Sequence, residues 1–453
     1  MSLNRCAKLI DLILPAVLCI LIDHFPSFGM LQIYDFGMRI ARRAILSFSK
    51  LKSEESPAKF SRFAKGQQHL IETIENGVKN LDHSLPTVWI HASSLGEFGI
   101  SRPIIKALKE KYCCNIVMTF FSPTGYEAVS KNHPDIDCVF YLPFDTSKNA
   151  KRFLDAVKPD CAVFMVSEYW HTYLYQLKKR GIPTFLVSAV IRDDSAFFKW
   201  YGDLYRKSIS YFKQIFVLDK RSKENLLKLN ITNAVVNGDP LFDNVRVVAS
   251  TPWKDELVER FKGDRKIFLA GSIHNDEDLE MISRLVNTHK DVRFIIVPHE
   301  TRKETLRNIE SAIEGNVKFY TECEKDTDFT DTQVLVIDFV GALAYLYRYA
   351  TWAYVGGGFT KLLHSIIEPA VYGMPVAFGP NIHRKAIARE MIDLGIGKSV
   401  STFPELDAWF RSLKQSPEKL KEISDLAADY VIKNTGSTPR VVAKIGEVLC
   451  SKN

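Results

Sequence analysis

The sequence has no pair of cysteines in a metal-binding or redox arrangement. Its 453 residues include eight cysteines, and no two of them are spaced as Cys-x-x-Cys. That spacing usually marks a zinc site or a thiol–disulfide centre, so neither is predicted. Scattered cysteines of this kind are typical of reduced, mostly buried thiols in a cytosolic compartment.

Long apolar runs are also lacking near the N-terminus. The apolar run of residues 12–22 is interrupted by Pro15 and flanked by Asp11 and Asp23. A helix needs roughly twenty apolar residues to cross a bilayer, so this run is not predicted to span one. No clear small-x-small cleavage site follows it, which disfavours a signal peptide.

Charge of one sign is only mildly in excess. The chain has 60 Lys+Arg against 53 Asp+Glu, a net charge of +7, which is too small to indicate nucleic acid but compatible with an anionic membrane or a phosphorylated substrate. Residues 30–52 combine apolar side chains with Arg39, Arg42 and Arg43. This composition predicts a basic amphipathic helix lying on a membrane, and an ordinary docking helix remains the alternative.

Short apolar runs alternate with helix-length segments from residue 87 onward. They indicate two doubly wound Rossmann-like domains, each with a parallel sheet covered on both faces, which face each other across a cleft. In the first half the predicted strands are residues 88–90, 116–120, 139–142, 162–166, 185–187 and 215–218. In the second half they are residues 267–270, 294–297, 334–337, 352–355 and 376–378.

Three segments are predicted from this pattern. Residues 1–56 form an N-terminal membrane-associated segment, residues 57–245 the first domain, and residues 246–453 the second domain. The boundary between the domains falls in the polar stretch of residues 246–265, and helices that begin near Pro417 and Pro439 end the second domain.

The glycine triplet Gly356–Gly358 follows an apolar strand directly. Glycines let the backbone approach a ligand closely and adopt positive φ, and a helix after them would present unpaired N–H groups to an anion. His364 and Glu368 are four residues apart, so both would lie on one face of that helix. A simple tight turn between a strand and a helix explains the triplet equally well.

Carboxylates follow two predicted strands of the first half. Glu97 leads into a helix and could accept a proton from an attacking hydroxyl, or it could merely offset the helix dipole. Glu168 stands beside Tyr169 and Trp170, a combination that suits sugar binding, although a core tryptophan is the commoner case. The segment 122–127, SPTGYE, could contact a phosphate or a sugar, and helix capping explains it as well.

Three turns of the second half follow predicted strands and are expected to point toward the same cleft. They are GSIH at residues 271–274, VPHE at 297–300 and DFVGA at 338–342. Each histidine taken singly is more typical of a structural residue than of a ligand. The last turn could place backbone groups against a base or a ribose.

The ordered set of these motifs resembles one family, the Kdo transferases, in their Bacteroidetes-type branch. They move 3-deoxy-D-manno-octulosonic acid (Kdo) from CMP-Kdo to a lipid A precursor. The resemblance runs from about Met30, where many members begin, to the end of the chain, so residues 1–29 would be either an extension or the result of a start assigned too far upstream. It rests on the motifs WIHASSLGE (89–97), TFFSPTGYE (119–127), YLPFD (141–145), EYW (168–170), SAVIR (188–192), NGDPLFD (237–243), GSIH (271–274) and GGGFTKLLHSIIEPA (356–370).

The resemblance implies a GT-B fold and an inverting glycosyltransferase of lipopolysaccharide biosynthesis that needs no metal or other cofactor. The acceptor would bind the N-terminal half, CMP the C-terminal half, and the enzyme would be peripheral or monotopic on the cytoplasmic face of the inner membrane. Glu97 matches the general base and Glu168 a carboxylate that supports the transition state. The implied substrate- and nucleotide-binding residues are Gly271, Ser272, Pro298, His299, Val340, Gly341, Ala342, His364, Ser365, Ile366, Ile367 and Glu368.

Three positions depart from the family pattern. An arginine usual between Pro298 and His299 is missing, Leu241 replaces a usual basic residue, and Ser365 replaces a usual asparagine. Fewer cationic groups would then contact CMP. Two alternatives therefore stay open: a GT-B transferase or epimerase that uses another nucleotide sugar, and an inactive sugar-nucleotide-binding membrane protein.

Overall fold

The chain folds into two compact units. The structure is a computed structural model that describes residues 29–48, 58–131, 133–360, 363–382 and 386–451. Unit 1 comprises residues 1–244 and 435–453, and unit 2 comprises residues 245–434. The apolar run of residues 12–22 and the end of the predicted amphipathic helix, residues 49–52, lie outside the described residues.

Unit 1 is built on a seven-stranded parallel sheet in the order β3-β2-β1-β4-β5-β6-β7. The strands are β1 (Thr87–His91), β2 (Asn115–Phe120), β3 (Cys138–Tyr141), β4 (Cys161–Met165), β5 (Thr184–Ala189), β6 (Gln214–Val217) and β7 (Ala234–Val236). Nearly all residues of β1 to β5 are buried on both faces of the sheet, which explains why these strands are mostly apolar rather than alternating.

Helices cover both faces of this sheet. They are α1 (Met30–Phe48), α2 (Ala58–Gly66), α3 (Leu70–Gly77), α4 (Leu95–Lys111), α5 (Pro123–Val129), α6 (Ser147–Val157), α7 (His171–Lys179), α8 (Asp203–Ile209), α9 (Lys220–Leu227) and α10 (Pro240–Ser250). The last of these continues into unit 2. Within the described residues, none of the helices is both long and apolar enough to cross a bilayer.

Unit 2 repeats the architecture with the strand order β10-β11-β9-β8-β12-β13-β14, again all parallel. Its strands are β8 (Ile267–Ile273), β9 (Arg293–Pro298), β10 (Val317–Phe319), β11 (Val334–Val336), β12 (Trp352–Val355), β13 (Val376–Phe378) and β14 (Gly397–Ser399). Its helices are α11 (Glu256–Lys262), α12 (Asp276–Thr288), α13 (Lys303–Ala312), α14 (Leu343–Leu346), α15 (Ile367–Ala370), α16 (Ala386–Asp393), α17 (Phe403–Lys414) and α18 (Pro417–Lys433).

The predicted strands are confirmed, and three further strands were missed. The missed strands β7, β10 and β14 are three residues long, and each lies at an edge of its sheet. An edge strand is covered less completely, so it lacks the run of buried apolar residues by which the other strands were found. Both residues 235 and 236 of β7, for example, are exposed valines.

The last helix, α19 (Ser437–Cys450), differs from the prediction, which placed it in the second domain. Its residues Val441, Ile445 and Leu449 join the core of unit 1. Asp243 of the NGDPLFD motif accepts hydrogen bonds from the backbone N–H groups of Gly436 (2.6 Å) and Thr438 (2.7 Å). These contacts are distant in sequence, so hydrophobic periodicity gave no sign of them.

The N-terminal helix α1 packs against unit 1 along one side. Ile33 and Met38 are buried in the core, and the hydroxyl of Tyr34 donates to the buried carboxylate of Asp145 at 2.8 Å. The docking-helix interpretation therefore holds for this face. The opposite face remains exposed and contains Phe36.

Candidate functional site

The first cluster of candidate residues lies in unit 1 at the carboxyl ends of β1 and β4. The strand order reverses between these neighbours, and open α/β sheets bind ligands at such switch points. Glu97 lies in the first turn of α4, which follows β1, and Glu168 lies in the loop after β4. Val166 enters that loop with a φ of 64°, a left-handed conformation that is rare for a β-branched residue and concentrated at functional sites.

Glu97 caps its own helix as well as facing this site. Its backbone N–H donates to the hydroxyl of Ser94 at 3.4 Å, and its carboxylate accepts the N–H of Ser93 at 2.5 Å. Glu97 therefore does stabilise the N-terminus of its helix, as the dipole-offsetting interpretation predicts. Desolvation by burial and then the nearby charge of Glu168 nevertheless raise the pKa of Glu97 to about 8. A capping carboxylate in water would show the opposite shift.

Glu168 is held by two aromatic neighbours. The indole Nε1 of Trp170 donates to its carboxylate at 2.7 Å, and the imidazole Nε2 of His91 lies 3.5 Å from the same oxygen. Trp170 also packs on the ring of Phe121 with centroids 4.9 Å apart. Trp170 is partly buried, so it is not a core tryptophan, and it orients Glu168; sugar binding by this ring stays a prediction.

His91 is a site residue that the prediction did not single out. It ends β1, is fully buried, and its Nδ1 lies 2.9 Å from the hydroxyl of Thr119. The side chain of Thr119 also accepts a hydrogen bond from the indole of Trp89 at 2.8 Å. This network fixes the imidazole that faces Glu168. The only signal in the sequence was a histidine at the last position of an apolar strand.

The segment 122–127 packs beside the start of the helix that contains Glu97. Ser122 precedes α5 but its hydroxyl does not cap the helix; it lies 2.7 Å from the hydroxyl of Thr124. A Cβ on Gly125 would meet the ring of Phe120 at 2.6 Å and the backbone N of Leu95 at 3.3 Å. The glycine therefore lets α5 approach the start of α4, where Glu97 lies.

The glycine triplet lies in unit 2 at the end of β12, next to β8. The strand order of the second sheet reverses between β8 and β12, so this is its switch point. A Cβ on Gly356 would lie 2.2 Å from the carbonyl oxygen of Ser272, and one on Gly358 would lie 2.5 Å from the backbone N of Gly379. Gly357 has a φ of 83°. All three positions therefore require glycine for close backbone contact or for positive φ.

Asp278 of α12 ties this turn to the end of β8, a role that the sequence did not reveal. Its buried carboxylate accepts hydrogen bonds from Gly357 N–H (2.8 Å), His274 N–H (3.2 Å) and the hydroxyl of Tyr354 (2.7 Å). Burial raises the pKa of this carboxyl, and the hydrogen bonds oppose the rise. The two loops are consequently fixed by one side chain.

Three histidines converge where these loops meet. His274 follows β8, His299 follows β9 and His364 follows the glycine turn, and one ring nitrogen from each lies within 4.8 Å of the other two. The prediction treated each of them separately, because they are 25 and 65 residues apart in sequence. The sheet brings them together, since the carboxyl ends of parallel strands share one edge.

The helix after the triplet begins later than predicted. Helix α15 runs from Ile367 to Ala370, and the described residues between the triplet and Ile367 are not helical. His364 and Glu368 therefore do not share a helix face, and this prediction was wrong. Residues 363–366 are not helical. The chain folds back here, since the N–H of His364 donates to the carbonyl of Gly356 at 3.3 Å.

Tyr347 lies close to both Gly271 and Glu368. A Cβ on Gly271 would meet the hydroxyl of Tyr347 at 2.3 Å, and the charge of Glu368 acts on the same buried tyrosine. The carboxyl of Glu368 is surrounded by protein although part of the residue is accessible, and this desolvation raises its pKa to about 7. Gly271 is required here because any larger residue would displace the tyrosine.

The remaining implied residues differ in exposure. Val340 is 86% exposed and Gly341 has a φ of 108°, so the turn before α14 presents backbone to solvent. Ile366 and Ile367 are buried in the core, so only their backbone could contact a ligand. Four further implied residues occupy these positions: Pro298 ends β9, Ser272 lies in β8 with a φ of 56°, Ala342 precedes α14, and Ser365 follows His364.

The two switch points define the class of protein. Each unit is a Rossmann-like domain, and two such domains in one chain form the GT-B fold of glycosyltransferases. The UDP-GlcNAc 2-epimerase from Neisseria meningitidis bound to UDP-GlcNAc matches with a TM-score of 0.56 at 15% identity, over 81% of this chain and 100% of that one. MurG from Acinetobacter baumannii matches with a TM-score of 0.50 at 16% identity, over 80% and 99% of the two chains. Identities this low establish the fold alone.

Sequence comparisons relate the chain to Kdo transferases. Residues 58–244 match the family model described as 3-deoxy-D-manno-octulosonic-acid transferase (kdotransferase). The 3-deoxy-D-manno-octulosonic acid transferase of Haemophilus influenzae is 26% identical over 373 residues, 78% of this chain and 85% of that protein. The enzyme of the same name from Aquifex aeolicus is 26% identical over 358 residues, 76% and 90% of the two chains. This similarity over most of the chain supports a Kdo transferase and indicates a glycosyltransferase.

Proposed function

We propose that this protein transfers Kdo from CMP-Kdo to a hydroxyl of a lipid A precursor, with inversion at the anomeric carbon. The observation that carries the proposal is the pair of carboxylates at the switch point of unit 1, together with the similarity of the chain to Kdo transferases. Unit 1 takes the acceptor and Glu97 acts on its hydroxyl, while unit 2 binds the nucleotide of the donor.

Glu97 serves as the general base in this proposal. Its carboxylate accepts the proton of the acceptor hydroxyl, whose oxygen attacks the anomeric carbon of Kdo. The bond from that carbon to a phosphate oxygen breaks, and CMP leaves with the bonding electrons. A base whose pKa is about 8 is well matched to proton abstraction from a hydroxyl near neutral pH. Glu168, oriented by Trp170 and His91, stabilises the positive charge that develops on the sugar.

Unit 2 holds the nucleotide at its own switch point. The turn before α14, the segment after the glycine triplet, and the loops after β8 and β9 all lie at the carboxyl ends of its strands. Close backbone approach at Gly356–Gly358 and the positions of His299 and His364 beside this turn support a site for the phosphate and the ribose. In this proposal Glu368 accepts a hydrogen bond from a sugar hydroxyl.

An activity assay tests the proposed reaction. Purified protein is incubated with CMP-Kdo and a defined lipid A precursor, and the lipid product is followed by mass spectrometry. Glu97→Gln should lose transfer while it keeps its fold, and Glu110→Gln, an exposed residue of the same helix, should retain it. Transfer by Glu97→Gln at the wild-type rate would remove Glu97 from the base role.

The nucleotide that the protein binds distinguishes transfer from CMP-Kdo from a reaction that uses another nucleotide sugar. A ligand that binds the native state raises its apparent stability by RT ln(1 + [L]/Kd). CMP should therefore raise the melting temperature of the protein more than UDP or GDP at equal concentration. A larger shift with UDP would favour a transferase or epimerase that uses another nucleotide sugar. A shift with CMP-Kdo but no product from any lipid acceptor would favour an inactive binding protein.

The exposed face of α1 supports a peripheral place on the cytoplasmic face of the inner membrane. Phe36 is 54% exposed and Ile40 is 51% exposed, one turn apart, and Arg42 and Arg43 are exposed beside them. Apolar side chains next to cationic ones suit the interface of an anionic bilayer. The opposite face of α1 is already buried against unit 1, so the helix is held in place to present this surface.

Vesicle binding tests the membrane surface. The double variant Phe36→Ser/Ile40→Ser should sediment less with vesicles of an anionic phospholipid than the wild-type chain does. Leu227→Ser, an exposed apolar residue of another helix, serves as the matched control and should sediment normally. Equal sedimentation of the double variant would exclude this face as the membrane contact.

A further inference from the structure

The three converging histidines of unit 2 form a cluster with the chemistry of a transition-metal site. One ring nitrogen from each histidine lies within 4.8 Å of the other two. The rings of His299 and His364 have centroids 4.6 Å apart at an interplanar angle of 37°, and those of His274 and His299 are 4.8 Å apart at 78°. We propose that His274, His299 and His364 together bind one divalent transition-metal ion of the Zn²⁺ class.

The donor set selects the kind of ion. Imidazole nitrogen is a preferred ligand of Zn²⁺, Co²⁺, Ni²⁺ and Cu²⁺, whereas Mg²⁺ and Ca²⁺ require oxygen ligands. Three protein ligands with further positions left for water or an anionic oxygen is a common zinc arrangement. The site therefore takes a borderline metal ion and discriminates against Mg²⁺.

The distances allow closure around one ion. Two nitrogens bound about 2.0–2.1 Å from a tetrahedral Zn²⁺ lie roughly 3.3 Å apart. The imidazoles need to approach one another by roughly 1–1.5 Å, which rotation about their side-chain bonds supplies. His299 is exposed and the other two histidines are partly exposed, so an ion from solution reaches them directly.

The backbone of each ligand is already fixed. The N–H of His274 donates to Asp278 at 3.2 Å, that of His299 to the carbonyl of Ile273 at 2.8 Å, and that of His364 to the carbonyl of Gly356 at 3.3 Å. The carboxylate of Asp278 already accepts the N–H groups of His274 and Gly357 and the hydroxyl of Tyr354, so it positions the loops and is not itself a ligand. Preorganised ligands lose little conformational entropy on binding, which favours affinity.

This metal site does not depend on the proposed reaction. The family resemblance implies a transfer that needs no metal, and the ion is proposed from the geometry of unit 2 alone. Its test is direct binding rather than turnover, so loss of Kdo transfer would leave it unaffected. Failure to bind metal would equally leave the proposed transferase intact.

Cobalt binding provides the measurement. The chain is prepared without a polyhistidine tag, titrated with CoCl₂, and followed by its visible d–d absorption; zinc is then added in competition. One Co²⁺ per chain should bind and be displaced by Zn²⁺ but not by excess Mg²⁺. Absence of saturable binding at one equivalent would overturn the proposal.

Variants connect that binding to the three residues. His299→Ala, an exposed position, and His364→Ala should each weaken Co²⁺ binding by at least about tenfold, a loss comparable with that of removing a supporting residue. His83→Ala, an exposed histidine of unit 1, should bind as the wild-type chain does. Circular dichroism verifies that each variant is folded. Unchanged affinity in both His299→Ala and His364→Ala would show that any bound cobalt lies elsewhere.

Discussion

Replacing Glu97 by glutamine should abolish activity and at the same time stabilise the protein at alkaline pH. The carboxyl of Glu97 is desolvated and lies near Glu168, so its pKa rises from 4.5 to about 8. Below pH 4.5 the group is neutral in both the folded and the unfolded chain. Between pH 4.5 and 8 the unfolded chain ionises while the folded chain keeps the group neutral, so stability is lost progressively; above pH 8 the folded chain must bury a charge and the loss is complete.

The magnitude follows from linkage. One pH unit of pKa difference corresponds to 1.36 kcal/mol, so the whole rise would cost the folded state roughly 5 kcal/mol above pH 8. Partial exposure of Glu97 lets water screen the charge and reduces this penalty. We therefore expect Glu97→Gln to exceed the wild-type free energy of unfolding by about 1–3 kcal/mol at pH 8.5 and by almost nothing at pH 4.5.

Thermal unfolding of both proteins at pH 4.5 and pH 8.5 measures this difference, and the Kdo transfer assay at pH 8.5 measures the loss of function. Transfer should fall by roughly 10²–10⁴, the usual contribution of a general base. Glu110→Gln on the same helix controls for the loss of a helix carboxylate. Equal destabilisation of wild type and Glu97→Gln between the two pH values would refute the buried, charge-coupled Glu97 described above.

Three further outcomes are expected. Glu168→Gln removes a charge that raises the pKa of Glu97, so the acid limb of kcat/KM against pH should move to lower pH; an unchanged limb would show the two carboxylates to be independent. Gly356→Ala places a Cβ 2.2 Å from the carbonyl oxygen of Ser272 and should lower the free energy of unfolding by about 1–3 kcal/mol, with weaker CMP binding by calorimetry; normal CMP affinity would separate the turn from the donor site. Asp243→Ala leaves two N–H groups at the start of α19 without their carboxylate and should cost about 0.5–2 kcal/mol in urea unfolding, whereas no loss would mean that α19 is held by its apolar face alone.

The sequence predicted the central strands because each is a short apolar run between helical segments. Strands buried on both faces exclude water from every side chain, so their composition alone identifies them. Edge strands such as β10 and β14 were not predicted because they are only partly buried and therefore contain polar residues. The site carboxylates Glu97 and Glu168 were found for a related reason, since post-strand loops of a parallel sheet are where ligands bind.

The structure of the second half was predicted less completely. The prediction expected one helix to present His364 and Glu368 together, whereas the chain first turns back along the glycine triplet. Spacing along a helix is local information, and the turn is determined by Asp278, which holds Gly357 and His274 from a different helix. Such hydrogen bonds between distant segments leave no periodic trace in sequence.

By itself, the sequence determined the alternation of strands and helices, the division into two Rossmann-like halves and the loops that hold the carboxylates and glycines, because burial and backbone freedom act residue by residue. Only the tertiary structure decided that the last helix returns to unit 1, that His91 supports Glu168, and that His274, His299 and His364 meet. Those contacts depend on the order in which strands pair, and strand order brings together side chains from loops that are tens of residues apart.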